Sequence, residues 1–234
     1  MQTSQKPASA YLSAAQGVGF HIITRDYDPS SNMAEYKKYL GEIVKISMQS
    51  RADVLQLRIK SLPASSVYEL AVYVKKMISG PLFFINDRPD IAYIAGADGV
   101  HLGQDDIPLR AAKKAFPGLI YGISAKDLVQ AKKAREEGAD YIGVGPLYET
   151  LSKKDAGTVM TPPTLESICK NIGIPAVGIG GITPSRVKEL SRTGLRGVAV
   201  ISAVSYAKNP LRTAAAFRGE IDKYMMSARK GDII

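Results

Sequence analysis

Residues 82–102 read LFFINDRPDIAYIAGADGVHL and contain the order of elements that decides the fold. The apolar run 82–85 predicts a buried strand. Pro89 stands where a helix would begin, because its fixed φ and missing N–H cost little at a helix start. Gly96 falls where that helix should end, and a second apolar run follows at 99–102. Strand, helix and strand in this order predict a βαβ unit.

The same alternation runs through the rest of the chain. Short apolar runs predict eight strands, at 19–24, 54–57, 82–85, 99–102, 119–123, 141–144, 176–179 and 198–201. Segments of helical character lie between and after them, at 32–49, 65–79, 89–95, 108–115, 126–137, 163–171, 184–193 and 210–226. This pattern predicts a parallel α/β fold, and the length of 234 residues fits a single (β/α)8 TIM barrel. An open doubly wound sheet is the structural alternative.

The composition is that of a globular protein, with 45% hydrophobic and 23% charged residues. The net charge of +9 would suit nucleic acid, an anionic membrane surface or phosphorylated substrates. The basic residues are spread through the predicted helices, without the aromatic-interleaved stripes of nucleic-acid modules. We therefore expect small-molecule substrates, and neither a nucleic acid nor a membrane as partner.

The cysteine content and the apolar runs indicate the cellular setting. Cys169 is the one cysteine, so a disulfide framework is excluded. No apolar stretch is long enough to span a bilayer, and the start of the chain lacks the apolar core of a secretion signal. We expect a cytoplasmic protein with a flexible N-terminal arm at 1–18 and a catalytic barrel domain at 19–228. The oligomeric state is open, and a homo-oligomer is one alternative.

In a barrel, functional residues belong at the carboxyl ends of the strands. Asn86 and Asp87 end the third strand, and Asp105 and Asp106 follow the fourth. A plain turn or helix cap would also explain the first pair. Carboxylates are hard ligands suited to Mg²⁺, which is typically held by one or two of them together with substrate phosphates. Asp87 and Asp106 are therefore candidate metal ligands, and spacing alone leaves Asp105 open.

Cations and glycines follow other strands of the predicted barrel. Gln56, Arg58 and Lys60 alternate onto one side of the second strand, where a buried cation needs an anion unless it reaches solvent. Lys153, in the long loop 145–157, would join them around a diphosphate. Glycines at 178–181 end the seventh strand, where barrel phosphate sites are frequently built.

Several segments carry a resemblance to a known family. They are QLRIK (56–60), IND (85–87), ADGVHLGQDDIP (97–108), GIS (122–124), ADYIGVGPLYETLSKKDAG (139–157), IPAVGIGGI (174–182) and GVAVISA (197–203). In this order and spacing the chain resembles the thiamine phosphate synthases, also called thiamine-phosphate pyrophosphorylases, over about residues 19–206.

The resemblance implies a transferase of thiamine biosynthesis that uses Mg²⁺. 4-Amino-2-methyl-5-hydroxymethylpyrimidine diphosphate and 4-methyl-5-(2-phosphoethyl)thiazole, or its carboxylate, would combine to thiamine phosphate and pyrophosphate. The diphosphate would leave first and give a pyrimidine-methylene cation, which the thiazole nitrogen then attacks. Metal and fixed cations aimed at the leaving diphosphate would lower the barrier, and no nucleophilic side chain is required.

The resemblance also implies a role for individual residues. Asp87 and Asp106 match the Mg²⁺ ligands, which favours Asp106 over Asp105. The residues that match contacts to the pyrimidine diphosphate are Gln56, Arg58, Lys60, Asn86, Ser124 and Lys153, with Arg58, Lys60, Ser124 and Lys153 as the catalytic set. The residues that match the thiazole-phosphate site are Thr150, Ser152, Gly181, Ile201 and Ser202.

The chain departs from the family pattern at several positions, among them Ala125, where threonine or cysteine is common. Glu149 stands where proline is usual, Ser152 where threonine is usual, and Lys126 where histidine is common. A related thiazole tautomerase uses a histidine near the last position, so a tautomerase-like paralogue is one alternative function. A non-catalytic phosphate-ligand-binding barrel is another. His21 and His101 are interpreted as hydrogen-bonded residues of the barrel layers rather than proton shuttles.

Overall fold

A computed structural model of the protein describes residues 19–150 and 158–226. Within these two ranges it contains eight strands, each within two residues of its predicted bounds. They are β1 Phe20–Ile23, β2 Val54–Leu57, β3 Leu82–Asn86, β4 Gly99–Leu102, β5 Ile120–Ala125, β6 Tyr141–Val144, β7 Ala176–Ile179 and β8 Gly197–Val200.

The helices of the described residues follow the strands as predicted. They are α1 Met33–Gln49, α2 Ala64–Met77, α3 Pro89–Ile94, α4 Leu109–Ala115, α5 Leu128–Glu136, α6 Pro162–Asn171, α7 Val187–Leu190, α8 Ser202–Ser205 and α9 Pro210–Ile221. The five glycines predicted at helix ends all adopt a positive φ: Gly80, Gly96, Gly118, Gly138 and Gly194.

The strands form one closed parallel barrel. Each strand pairs with the next, and β8 returns to pair with β1. In this register Leu55 lies opposite both Ile22 and Phe83, and Ile22 also lies opposite Val200. The predicted (β/α)8 TIM barrel is confirmed, and the pairing of β1 with β8 excludes the open doubly wound sheet.

Alternation along the strands separates two apolar clusters. The inward side chains fill the barrel and form one cluster: Ile23, Val54, Phe84, Ile120, Tyr141, Val177, Ala199 and Ile201. The outward ones, such as Phe20 and Ile22, join the larger core between strands and helices. The barrel interior is therefore packed, and open space begins only towards the carboxyl ends of the strands.

The same aspartate hydrogen bond is repeated three times at the opposite end of the barrel. An aspartate just before β2, β4 and β6 accepts a backbone N–H from the first or second residue of the preceding strand, and each aspartate also lies near a cation. The backbone partners are Phe20 for Asp53 (2.7 Å), Phe83 for Asp98 (2.7 Å) and Tyr121 for Asp140 (2.8 Å). The cations are Arg218, Lys75 and Lys113 in the same order.

Two parts of the predicted helices differ. Segment 184–193 divides into a 3₁₀ turn Pro184–Arg186, helix α7 and a second 3₁₀ turn Ser191–Thr193. The hydroxyls of Ser191 and Thr193 donate to carbonyls three residues earlier, which favours tight turns over a regular α-helix. Helix α9 ends at Ile221 and continues as a π-turn, and the short helix α8 was not predicted.

Some predictions concern segments outside the described residues. The proposed N-terminal arm 1–18 is one, and the end of the barrel domain beyond residue 226 is another. Among the described residues, no helix combines the length and the apolar character that crossing a membrane requires.

Candidate active site

A cavity of about 200 Å³ opens at the carboxyl ends of the strands, as the barrel predicts. It is much larger than the small cavity of about 20 Å³ that lies deeper in the barrel. Ten of the predicted site residues line it: Arg58, Lys60, Asn86, Asp87, Asp106, Ser124, Thr150, Gly181, Ile201 and Ser202. Gln56 lies beneath it, and Ser152 and Lys153 fall outside the described residues.

The chain just after β1 holds the cationic segment that follows β2. Thr24 accepts a hydrogen bond from the backbone N–H of Arg58 (2.9 Å). Asp26 accepts the N–H of Lys60 (2.9 Å), and its carboxylate lies 3.9 Å from the Arg58 guanidinium. Arg58 is buried, whereas the Lys60 side chain is nearly half exposed. These hydrogen bonds hold the backbone of the segment whose two cations line the cavity.

A buried amide pair lies beneath these cations. The Gln56 side chain donates to Asn86 Oδ1 at 2.5 Å, and both residues are buried. Because Asn86 Oδ1 accepts this hydrogen bond, the NH₂ group of Asn86 points away from Gln56. The pair joins the ends of β2 and β3 by a side-chain hydrogen bond.

Asp87 leaves β3 in a left-handed conformation, with φ of 64°. This conformation is uncommon for a residue with a side chain, although aspartate tolerates it better than most. Its backbone N–H donates to the His101 carbonyl (2.8 Å), which holds the turn against β4. Its carboxylate lies 3.2 Å from the Lys60 ammonium at the cavity wall. Asn86-Asp87 is therefore a strained site turn rather than a helix cap.

Asp106 reaches the same wall from the loop after β4. Its carboxylate accepts the Gly103 N–H at 2.6 Å. Burial raises the pKa of Asp106 to about 6, and the neighbouring Asp87 carboxylate adds to the rise. A half-buried carboxylate with a second carboxylate beside it marks a place where a bound cation would be stabilised. Asp105 also borders the cavity but is more exposed than Asp106.

The donor set fits Mg²⁺ held together with a substrate. Among the described residues, no group of three or more His, Cys, Asp and Glu side chains could hold a metal ion. Mg²⁺ does not need such a cage, because it usually binds one or two carboxylates, substrate phosphates and water. Asp87 and Asp106 would supply the two carboxylates of such a site, and both line the cavity.

The turn after β7 faces the loop after β6. Gly180 and Gly181 have φ of 100° and 61°, and a Cβ on Gly181 would lie 2.5 Å from the Glu149 carbonyl oxygen. The loop is held there by backbone hydrogen bonds from Leu147 to Ile179 and from Tyr148 to Gly180. Thr150 is thereby brought to the wall that also contains Gly181 and Ser202.

Three supporting residues were not predicted. Arg186 stacks on the Tyr148 ring, with 3.9 Å between guanidinium carbon and ring centre, and donates to the Gly181 carbonyl. Thr24 and Asp26 orient the cationic segment. A signal existed for the latter pair, because polar residues directly after β1 repeat the pattern seen after β2 and β3. Arg186 carried no such signal, since it meets Tyr148 only through folding.

The two histidines have different surroundings. His101 is hydrogen-bonded inside the barrel, as expected, to Tyr141 and Ser124. His21 also lies in a barrel layer and is buried. Its Nε2 makes no hydrogen bond to the described residues, so the prediction of a hydrogen-bonded His21 is not met at that atom. The pKa of His21 falls to about 3 because burial disfavours the charged ring.

Cations, carboxylates and a glycine-rich turn on one rim of a closed barrel define a (β/α)8-barrel enzyme site for anionic ligands. Comparisons with known proteins identify the enzyme family. The family model described as thiamine monophosphate synthase matches residues 23–204. The chain belongs to this family, and the prediction of a transferase of this family is confirmed.

Individual relatives agree. The thiamine-phosphate synthase of Archaeoglobus fulgidus is 39% identical over 183 residues, 77% of this chain and 86% of that protein. That of Salinibacter ruber is 36% identical over 233 residues, 97% of each chain. The solved thiamine phosphate pyrophosphorylase of Pyrococcus furiosus is 31% identical, with a TM-score of 0.79 over 90% of this chain and 98% of its own.

Proposed function

We propose that the protein is a thiamine phosphate synthase. It would join 4-amino-2-methyl-5-hydroxymethylpyrimidine diphosphate to 4-methyl-5-(2-phosphoethyl)thiazole, or its carboxylate, and release pyrophosphate. The observation that carries the proposal is the meeting of Lys60, Asp87 and Asp106 at one wall of the cavity in a chain of this family. A diphosphate with a divalent cation is the ligand that such a mixture of charges fits.

The first step breaks the bond between the pyrimidine methylene carbon and the diphosphate oxygen, and the electron pair leaves with the oxygen. Arg58 and Lys60 face the negative charge that grows on the leaving group, and Lys153 and Ser124 are the further donors. Fixed donors cost no reorganisation at that moment, which is why they lower the barrier. Bound Mg²⁺, held by Asp87 and Asp106, would supply further charge neutralisation.

The second step forms a bond from the thiazole nitrogen to the methylene cation. No proton has to move from the nitrogen, which attacks with its lone pair, and the product keeps a positive thiazolium ring. Gln56 and Asn86 would hold the pyrimidine, and Gly181, Ile201, Ser202, Thr150 and Ser152 would hold the thiazole phosphate. A walled cavity limits capture of the cation by water.

The test is pyrophosphate release from the two purified substrates, with thiamine phosphate confirmed by mass. We expect product only when both substrates and Mg²⁺ are present, and loss of product after chelation that added Mg²⁺ restores. A folded protein that isomerises the thiazole alone would favour the tautomerase-like alternative. Tight phosphate binding without either reaction would favour the non-catalytic barrel.

A further inference from the structure

Hydrogen bonds link three side chains at the floor of the cavity, from Tyr141 of β6 through His101 of β4 to Ser124 of β5. Tyr141 Oη lies 2.9 Å from His101 Nδ1, and His101 Nε2 lies 2.9 Å from Ser124 Oγ. Tyr141 is buried among the inward side chains of the barrel, whereas Ser124 borders the cavity. These hydrogen bonds therefore link a dry position inside the barrel to a hydroxyl that faces a ligand.

Two glycines make room for the two rings. A Cβ on Gly122 would overlap the Tyr141 ring, and a Cβ on Gly143 would lie 2.9 Å from His101 Cε1. Any side chain at either position would displace the ring beside it. Because both rings fill space that the neighbouring strands leave open, the arrangement has little freedom to change.

The hydrogen atoms on the Tyr141, His101 and Ser124 side chains can be placed in one consistent way. Burial raises the pKa of Tyr141, so its phenol keeps its proton and must donate it. Within residues 19–150 and 158–226, the hydrogen bond that Tyr141 Oη makes is the one to His101 Nδ1. Nδ1 must then accept, and the ring proton lies on Nε2, which donates to Ser124 Oγ.

This arrangement fixes what Ser124 offers to a ligand. Its oxygen already accepts from His101, so its own proton is free to point into the cavity. The second side-chain contact to Ser124, from Gln104, goes to the backbone carbonyl at 2.6 Å and leaves the hydroxyl untouched. In the opposite arrangement Ser124 would donate to Nε2 and turn its lone pairs toward a bound anion, which would be repulsive.

We propose that Tyr141 and His101 are positioning residues, which fix the Ser124 hydroxyl as a hydrogen-bond donor to the diphosphate. The catalytic use of that donor rests on the proposed function, but the proton arrangement and its effect on anion binding do not. Tyr141 touches no substrate in this account. It acts by selecting the ring nitrogen of His101 that carries the proton.

The proton arrangement can be read directly in the free protein. The chain has two histidines, so ¹⁵N-histidine labelling gives two rings, and a His21→Gln variant identifies which signals belong to His101. We expect the Nε2 of His101 to carry the proton in the wild type. A proton on Nδ1 instead, with Nε2 bare, would overturn the proposal whether or not the enzyme turns over.

A double-mutant cycle tests the coupling to Ser124. Tyr141→Phe keeps the ring and its contacts with Phe84 and His21 but removes the donated proton. We expect it to weaken inorganic pyrophosphate binding, measured with Mg²⁺ by calorimetry, and to lower kcat, each roughly 10- to 100-fold. In a Ser124→Ala background the same change should cost less than about 2-fold.

The matched control is Tyr121→Phe. This variant also removes a phenol hydroxyl, from the neighbouring strand β5. In the wild type that hydroxyl donates to the carbonyls of Ala112 and Phe116 outside the barrel. This variant should be less stable and keep the pyrophosphate affinity and kcat of the wild type. An equal loss from Tyr141→Phe in both backgrounds would mean that Tyr141 does not act through Ser124, and the proposal would be wrong.

A failure of the proposed function would give a different set of results from a failure of the positioning role. If the wild type forms no thiamine phosphate, the kinetic arm is lost, while the ¹⁵N spectrum and the pyrophosphate affinities still decide the role of Tyr141. If turnover is present and those two measurements disagree with the expected results, the positioning role fails and the synthase assignment stands.

Discussion

Asp87 occupies a backbone conformation that costs free energy. A non-glycine residue at φ of 64° is typically stabilised by its surroundings, and such strain concentrates at ligand sites. Here the surroundings are the hydrogen bond to the His101 carbonyl and the contact with Lys60. The conformation moves the carboxylate away from the line of β3 and toward Asp106. A single dihedral angle therefore brings together two carboxylates that the sequence places 19 residues apart.

Asp87→Asn tests the metal assignment. Asparagine tolerates the left-handed region and keeps the size of the side chain, but it has no charge to offer a cation. We expect turnover to fall by roughly 100-fold or more, with the unfolding free energy within about 0.5 kcal/mol of the wild type. Steady-state pyrophosphate release and urea unfolding measure the two quantities.

Asp105→Asn is the control for this substitution. Asp105 also borders the cavity but is exposed and matches no metal ligand of the family, so its variant should keep most of the activity. If the folded Asp87→Asn protein has full turnover, the assignment of Asp87 as a metal ligand is wrong. If Asp105→Asn loses as much turnover as Asp106→Asn, the choice of Asp106 over Asp105 as a metal ligand is wrong.

His21 gives the stability of the protein a pH dependence. Its pKa is about 3 in the folded chain against 6.5 for an ordinary histidine. Between these values the unfolded chain binds a proton that the folded chain does not, so stability falls as the pH falls through this window. The slope approaches about 1.4 kcal/mol per pH unit for one full proton.

The measurement is urea unfolding of the wild type and a His21→Gln variant between pH 7 and pH 4. Because carboxylates titrate in the same range, the difference between the two proteins is the informative quantity. We expect the wild type to lose more stability than the variant as the pH falls. Parallel curves would show that His21 is not held neutral.

At the scale of elements, the same turn precedes β2, β4, β6 and β8. Three of these turns carry a glycine with positive φ three residues before the strand: Gly96, Gly138 and Gly194. Arg51 occupies the corresponding position before β2, with φ of 55°. Its side chain pairs with Asp222 at 2.9 Å, but that pair is largely exposed and contributes little.

Arg51→Gly should therefore be tolerated better than Arg51→Ala. Both variants lose the ion pair with Asp222, but only glycine relieves the left-handed strain, which is worth roughly 1 kcal/mol. We expect Arg51→Gly to exceed Arg51→Ala by about that amount in unfolding free energy. Equal stabilities in chemical denaturation would show that the turn before β2 is not strained.

At the scale of the whole molecule, the barrel depends on a seam between the two ends of the described chain. β1 pairs with β8, Phe20 stacks on Phe217 of α9 at 5.6 Å, and Arg218 binds Asp53 at 3.0 Å. These contacts join residues more than 160 positions apart. Phe217, Arg218 and Asp53 do not line the cavity, so the role of these side chains is to close the fold.

Phe217→Ala tests the seam. Phe217 is fully buried, so the variant leaves a large cavity and should lose about 3 kcal/mol or more of unfolding free energy. The remaining folded protein should keep the wild-type KM for both substrates. Tyr68→Ala is the control, since Tyr68 is 39% exposed on α2 and its loss should cost well under 1 kcal/mol. A large change in KM for Phe217→Ala would contradict a purely structural seam.

The sequence alone determined the fold and most of the polar wall of the site. Apolar runs and flanking prolines and glycines are local signals, and parallel strands interrupted by helices leave few topologies, so the eight strands could be placed. The carboxyl ends of parallel strands meet at one rim, so Arg58, Asn86, Asp87 and Ser124 could be assigned to a common site. The order and spacing of the motifs indicated the family.

Only the tertiary structure decided which atoms touch. The left-handed turn of Asp87, the stacking of Arg186 on Tyr148 and the chain from Tyr141 through His101 to Ser124 join residues from different strands. Spacing along a strand fixes which face a side chain takes but not which ring on the next strand it meets. The direction of a hydrogen bond depends in addition on which partner is buried. These choices follow from packing, because the space left by Gly122 and Gly143 exists only once β5 and β6 lie side by side.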